Sequence, residues 1–471
     1  MKIALMHYHL KTGGVTTVIR QQIEALKPAC DLLLLTGEPT DLVLPCETVH
    51  IPGLGYDESA PKPVSAELVS SLVEEAIIQK WPKGCDVLHV HNPLLAKNSC
   101  FLDVLTQLKT KQYNLLLQVH DFAEDGRPNV YYQEAYPSNC HYGVLNSRDY
   151  RILIRSGLKP EGLHMIPNTV NPLPAPEPTK TDLTHVLYPI RAIRRKNIGE
   201  AILLSLYFEQ GQRLCITQPP NTPSDRLSYS AWKAFVKARG LNISMEAGTR
   251  KPFLELVKQS KYMLTTSIGE GFGFSFLEPW TAGKFLWGRK LPDLCSDFEE
   301  KGLHLDHLYR HIRVPVEWFD LAQFELRWRA AVADCSRRFG IPITQQDTNT
   351  AFKRMTTNGS IDFGLLDESS QMQVLSQLLT EPPQKEKLAR VNPFIKGPGN
   401  LRQLAPMIRK NRNTIKRVFT IDSYRGLLLD AYRKVIRIPV RHRISKSVVA
   451  NEFFNLGFFS LLKWSNDADF G

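Results

Sequence analysis

Ten short apolar runs, each bounded by polar or turn-forming residues, limit what this chain can fold into. Five fall in the first part, "KIALMHY", "DLLLLTG", "DVLHVH", "NLLLQVHDF" and "YGVLNS"; five follow later, "THVLYPI", "RLCITQP", "ISMEAG", "YMLTTS" and "KFLWG". Runs this brief and this continuously apolar read as parallel strands covered on both faces. Between them apolar residues recur at three and four, as over Gly14 to Leu26 and Ser65 to Lys80, the period of helices lying on a sheet. The alternation predicts an α/β chain with two Rossmann-like, doubly wound domains. The proline-rich, apolar-poor stretch "NPLPAPEPTKTD" divides the two series. A first domain is therefore expected over 1–171, a linker over 172–183 and a second domain over 184–390, with a basic helical segment over 391–471.

Composition narrows the function classes. At 43% hydrophobic and 23% charged residues the chain has the makings of a globular core. No run approaches the roughly 18 apolar residues that span a bilayer, and the start "MKIALMHYHLKTGG" lacks a signal-peptide pattern, so a cytoplasmic location is expected. The eight cysteines are scattered without a C-x-x-C pair, which suits reduced, buried thiols. Of the net charge of +12, +10 lies in 391–471, with fifteen Lys and Arg against five Asp and Glu. That bias fits either an anionic partner or a solvated helix face. No recognition module interleaves basic and aromatic residues, so nucleic acid is not an expected partner.

Four stretches at predicted strand ends carry candidate chemistry, where ligands of α/β folds bind, and two such domains would face each other across a cleft. In the first, "MHYHLKTGGVTTV", Gly13 and Gly14 precede a helix whose free N–H groups could meet a phosphate; a simple tight turn is the alternative. In "QVHDFAEDGRPN", His120 is positioned to hydrogen-bond a sugar hydroxyl or shuttle a proton near neutral pH, with Asp121 and Arg127 nearby. In "LYPIRAIRRKNIGEA", the heads of Arg191 and Lys196 can converge on a diphosphate, beside Arg194 and Arg195. In "TTSIGEGFGFSFLEPW", a strand leads to a loop with Glu270, Gly271, Phe272 and Gly273, then to a helix whose first turn holds Glu278 and Pro279. Two carboxylates so placed could accept hydrogen bonds from a ribose and from a second sugar; capping and solvent exposure are the plainer roles. His89 and His91 in "LHVHNP" have no acidic or cysteine companions at ligand spacing, and the lone D-x-D, Asp467 to Asp469, sits at a chain end, so no metal is expected.

Taken together these motifs resemble the retaining GT-B glycosyltransferases of family 4, over roughly 1–295 and again around "DFGLLDESSQMQVLSQLL". Glu270 and Glu278 around "GFGFSFL" are similar to that family's E-x7-E motif, and "MIPNTVN" looks like its "IPNGVD" segment. The resemblance implies that Glu278 holds the nucleotide ribose and Glu270 the donor sugar, with the backbone of Gly271, Phe272 and Gly273 beside it. It implies that Arg191 and Lys196 neutralise the donor diphosphate, that Gly13 and Gly14 form the first domain's glycine loop, and that His120 lies near the transferred hexose. It further implies retention at the anomeric carbon and no cofactor beyond a nucleotide sugar, with the first domain on the acceptor side and "DSYRGLLLDAYRKVIRI" as a closing helix.

The chain departs from the family in an insert over about 288–359, where Gly288 and Arg289 are the residues able to replace a glycine-rich donor loop. The acceptor, whether saccharide, small molecule or lipid-linked, is not encoded in any residue type. An epimerase or hydrolase on the same fold, or a non-enzymatic membrane or polyanion binder, are the rival readings. For the tail "RHRISKSVVANEFFNLGFFSLLKW" two roles are compatible with its basic and aromatic residues: a peripheral anchor on anionic lipid, or packing against a domain or second subunit.

Overall fold

The computed structural model describes residues 1–59, 64–174, 183–222 and 225–465. Most of the expected linker, 175–182, and the D-x-D of Asp467 to Asp469 lie outside them. The chain forms two compact units: 1–170 with 419–454, and 171–418 with 455–471. The basic segment over 391–471, expected to cross back in part to the first domain, contributes 419–454 to unit 1 and its remainder to unit 2.

Unit 1 holds a seven-stranded parallel sheet of β1 (Lys2–His7), β2 (Asp31–Thr36), β3 (Glu47–His50), β4 (Val87–His91), β5 (Leu115–Gln118), β6 (His141–Val144) and β7 (Leu163–Met165). Their order is β3-β2-β1-β4-β5-β6-β7. The central strands are buried at nearly every position, which is why they read as unbroken apolar runs. The helix Gly14–Leu26 follows β1 and buries Ile19, Ile23 and Leu26 against Ile3, Leu5 and Leu34. The helix Ile421–Arg437 joins the same core through Tyr424, Leu428, Tyr432 and Val435. Its entry is held at "MIPNTVN", where Thr169 Oγ1 and the Val170 N–H both donate to the Phe419 carbonyl.

Unit 2 repeats the plan with β8 (His185–Arg191), β9 (Arg213–Gln218), β10 (Ile243–Ser244), β11 (Ser260–Thr265) and β12 (Leu286–Gly288), in the order β10-β9-β8-β11-β12, all parallel. The insert adds an antiparallel pair, β13 (Arg313–Pro315) with β14 (Ser360–Asp362), and the helices Pro292–Glu300, Leu321–Phe339 and Gln345–Met355. It is tied to the sheet by Arg289, whose guanidinium donates to Glu200 at 2.8 and 2.5 Å and to Asp362 at 2.8 and 2.9 Å. Tyr309 and Asn197 satisfy the remaining lone pairs of Glu200. Arg289 is therefore an internal brace, not the substitute donor-loop residue that its position suggested.

The tail's apolar residues are buried within the fold. In unit 1 Phe453 packs on Phe122 and beneath Arg148. In unit 2 Phe459 stacks on Trp464, and their carbonyls accept from Trp328 Nε1 and Cys335 Sγ. Leu461 and Leu462 are buried with them, while Phe458 is exposed. Of the two roles compatible with the tail's composition, packing against a domain is the one its buried side chains serve here, and Phe458 is the exposed aromatic among them. No described helix is long and apolar enough to cross a membrane.

Candidate functional site

Unit 2 builds its site from the loops after two neighbouring strands, β8 and β11. After β8 the chain makes one 3-10 turn, Arg194–Lys196, then passes through Asn197 at φ 51° into the helix Ile198–Ser205. Asparagine tolerates this left-handed step better than other side chains carrying a Cβ. The turn is stitched to the β11 loop: the Lys196 carbonyl accepts from Tyr188 Oη at 2.6 Å and Thr266 Oγ1 at 3.1 Å, and the Ile268 N–H donates to the Arg195 carbonyl. These bonds bring Lys196 Nζ to 2.5 Å from Glu270 Oε1. Burial alone would raise the Glu270 carboxyl, but the charges of Lys196 and Arg195 outweigh it and hold the group below the ordinary value.

Arg191 ends β8 half-buried, and its guanidinium makes no hydrogen bond or ion pair among the described residues. Arg194 is committed elsewhere: Nε and Nη2 grip the Glu368 carboxylate at 2.7 and 2.8 Å, and Nη1 reaches the Ser465 carbonyl. Of the basic cluster, the structure leaves Arg191 uncommitted and sets Lys196 against Glu270.

The glutamate loop differs from the single helix expected after it. Phe274–Phe276 forms a 3-10 turn and Glu278–Thr281 one α turn, with Pro279 near its start. Gly273 has φ 88°, and a Cβ there would come within 2.6 Å of Leu294. Phe272 is buried against Phe274 and Phe298, so its backbone, not its ring, faces the loop. Gly271 is partly exposed between Glu270 and this anchor. The Glu278 carboxyl has no hydrogen-bond partner among the described residues, and burial pushes it up to about 7.

In unit 1, Gly13 is extended and Gly14 opens the 13-residue helix Gly14–Leu26. The space where a Gly14 Cβ would stand is empty to 4 Å, leaving room at the helix N-terminus. His120 lies two residues beyond β5. Its N–H and that of Asp121 both donate to Asn92 Oδ1, and Arg127 pairs with Asp121 at 2.7 Å. Burial pushes the His120 imidazole down to about 4. It is thereby held neutral near pH 7, which suits hydrogen bonding and disfavours a resting imidazolium.

Sequence reading passed over the company His120 keeps. His91 Nδ1 lies 2.9 Å from His120 Nε2, His91 stacks on both His120 and His89, and His7 Nδ1 meets the His91 carbonyl. The signal was present: "MHYH" and "HVH" alternate on adjacent strands, so their histidines share sheet faces. Among the described residues no group of three His, Cys, Asp or Glu is arranged to hold a metal ion.

No protein-family model matches the chain. Among curated proteins it is 26% identical over 406 residues, 78% of each chain, to mannosylglucosyl-3-phosphoglycerate synthase of Petrotoga mobilis. Among solved structures it resembles the sucrose-phosphate synthase of Thermosynechococcus elongatus, with TM-score 0.53 and 15% identity over 92% of this chain and 98% of that one. It also resembles Anabaena HepE in complex with UDP and glucose, with TM-score 0.53 and 13% identity over 91% and 98%. These likenesses establish the fold as GT-B, an α/β architecture of two Rossmann-like units.

Proposed function

We propose that this GT-B chain is a glycosyltransferase that moves a hexosyl group from a nucleoside diphosphate sugar to an acceptor hydroxyl, with retention at the anomeric carbon and without a metal or other cofactor. One observation carries the reading: the loops after β8 and β11 set an uncommitted Arg191, a Lys196–Glu270 pair and a partnerless Glu278 at the same end of one sheet. Glu278 supplies the acceptor for a ribose diol and Glu270 that for donor-sugar hydroxyls. Gly271 and Gly273 admit the ligand to backbone N–H groups.

In the reaction the bond from the anomeric carbon to the diphosphate oxygen breaks, and the acceptor oxygen bonds to that carbon on the same face. The acceptor's proton leaves on the departing phosphate oxygen. Arg191 and Lys196 stabilise the charge that grows on the diphosphate, the main electrostatic contribution. To reach it, Lys196 gives up part of its contact with Glu270, whose carboxylate turns to sugar hydroxyls. His120 contributes a neutral hydrogen bond to a sugar hydroxyl, and unit 1 is the acceptor side.

The curated relative's name describes a mannosyl group on glucosyl-3-phosphoglycerate, which supplies the first acceptor to try. The test pairs GDP-, UDP- and ADP-sugars with that acceptor and follows nucleotide release and product. Transfer that disappears in Glu278→Ala supports the reading. Free sugar released equally without acceptor marks a hydrolase instead, and binding of no nucleotide by the folded protein overturns the reading.

A further inference from the structure

Three neutral imidazoles, those of His89, His91 and His120, stack in series at the carboxyl end of β4 and β5. Ring centroids are 4.5 Å apart for His89 and His91 and 5.2 Å for His91 and His120. His89 and His91 are 0% exposed and His120 is 6% exposed. Burial pushes His89 down to about 3 and His120 to about 4, and holds His91 well below its ordinary value. Each ring therefore carries one proton, and the contact between His91 Nδ1 and His120 Nε2 at 2.9 Å needs that proton on one side only.

The surroundings decide which side. His91 Nε2 is fully buried with no hydrogen-bond partner, and His7 meets His91 at its carbonyl instead, through Nδ1. Were the His91 proton on Nε2, a buried N–H would lack any acceptor, the rarer and costlier kind of orphan. With the proton on Nδ1, His91 donates to His120 Nε2 and leaves only a bare ring nitrogen unpartnered. His120 must then carry its own proton on Nδ1. That nitrogen makes no hydrogen bond among the described residues and is not among the buried, partnerless atoms, so it is open to an incoming group.

We infer that His91 is a positioning residue that locks His120 as the Nδ1–H tautomer, making His120 a hydrogen-bond donor to a ligand oxygen rather than a base. The functional half of this rests on the reading of His120 given above; the tautomer does not. A second pair on the same sheet serves as an internal standard. His141 Nε2 donates to the Ile438 carbonyl, which leaves His141 Nδ1 to accept from His164 Nε2 at 2.9 Å. The carbonyl fixes that direction without appeal to an orphan.

The experiment is a long-range ¹⁵N–¹H spectrum of the histidine-labelled full chain, which shows for each ring which nitrogen bears the proton. Expected are protonated Nδ1 on both His91 and His120, and the opposite, Nε2–H, on His141 and His164. A proton on His120 Nε2 overturns the inference, whatever the enzyme assays give. His91→Asn keeps an N–H near the Nδ1 position and should hold the His120 tautomer, whereas His91→Phe keeps the stack and should release it. With donor and acceptor present, His91→Phe should lower kcat about tenfold, the size of one lost directed hydrogen bond, with KM for the donor little changed and His91→Asn near wild type. Equal losses in both variants would mean that His91 only fills space. Absence of any transfer, with the expected tautomer, would instead count against the proposed function.

Discussion

Lys196 and Glu270, 74 residues apart in the chain, meet at 2.5 Å between Nζ and Oε1, with side chains only 13% and 10% exposed. Their contact is what the loops after β8 and β11 have in common. Each charge offsets much of the hydration the other loses on burial, with Arg195 adding to the balance at Glu270.

Glu270→Gln should therefore destabilise unit 2, by roughly 3 kcal/mol for a buried pair broken on one side. The double variant Lys196→Met/Glu270→Leu should recover most of that loss while binding no nucleotide. The pH dependence has a definite sign. Glu270 has its folded value below the ordinary 4.5, so its contribution is present above pH 4.5 and is lost as pH falls through that lowered value. Urea unfolding of wild type and both variants between pH 3 and 8 checks each point. A Glu270→Gln variant as stable as wild type at pH 7 would show that the pair is incidental.

Glu278 should behave in the opposite sense. Its folded value of about 7 stands above the ordinary 4.5, so the stability it contributes as a neutral acid is full below pH 4.5 and disappears as pH rises through 7. Glu278→Gln should make the ligand-free protein more stable at pH 8, by up to about 3 kcal/mol for a shift of this size, and leave it unchanged near pH 4. A nucleotide whose ribose hydroxyls donate to the carboxylate favours the ionised form. Binding at pH 6.5 should therefore release protons, seen as a buffer-dependent calorimetric enthalpy, and should lose that dependence in the variant.

How much of this was legible in the sequence depends on what each residue reports. Nine of the ten apolar runs correspond to strands that are largely buried, which leaves a continuous apolar signature; the tenth, "ISMEAG", yields only the two-residue, half-buried edge strand β10. β3, "ETVH", and β7, "LHM", escaped because they are short edge strands, partly exposed and partly polar. The basic loop and the glutamate loop were found by their place after strands, and spacing alone could not say that Arg194 belongs to Glu368 while Arg191 stays uncommitted. Arg289 was misplaced for a related reason: Glu200 and Asp362 lie 89 and 73 residues from it, and nothing local marks them as its partners. The single helix expected through Glu278 failed because Gly273 at positive φ and Pro279 near a helix start confine the chain to two separate turns.

Arg289→Met should cost more than an average core substitution. It would leave the fully buried carboxylate of Glu200 and that of Asp362 facing each other without a cation, a loss of roughly 3–5 kcal/mol. Arg289→Lys should recover little, since an ammonium cannot grip two carboxylates in paired fashion. Because none of the Arg289 side-chain bonds is made to Lys196 or Glu270, and its link to their loop runs only through Glu200 and Asn197, whichever variant folds should keep most of its nucleotide affinity. Thermal unfolding with and without nucleotide distinguishes this brace from a donor-loop residue, which would lose affinity at unchanged stability.

The tail should matter to folding and not to lipid. Trp464 is buried against Phe459 and Phe339, and its carbonyl accepts from Cys335 Sγ at 3.3 Å. Replacing it by alanine opens a cavity beside the helix Leu321–Phe339 and should cost about 3–5 kcal/mol, the usual range for a buried Trp. An interfacial anchor would give the reverse pattern, stability unchanged and binding to anionic vesicles lost. Phe458 supplies the control, being 76% exposed on the same segment. Phe458→Ala should leave the melting temperature within about 1 °C, since exposed substitutions seldom exceed 0.5 kcal/mol. If Trp464→Ala melts with wild type and fails to sediment with phosphatidylserine vesicles that wild type binds, the packing assigned to this tail is wrong.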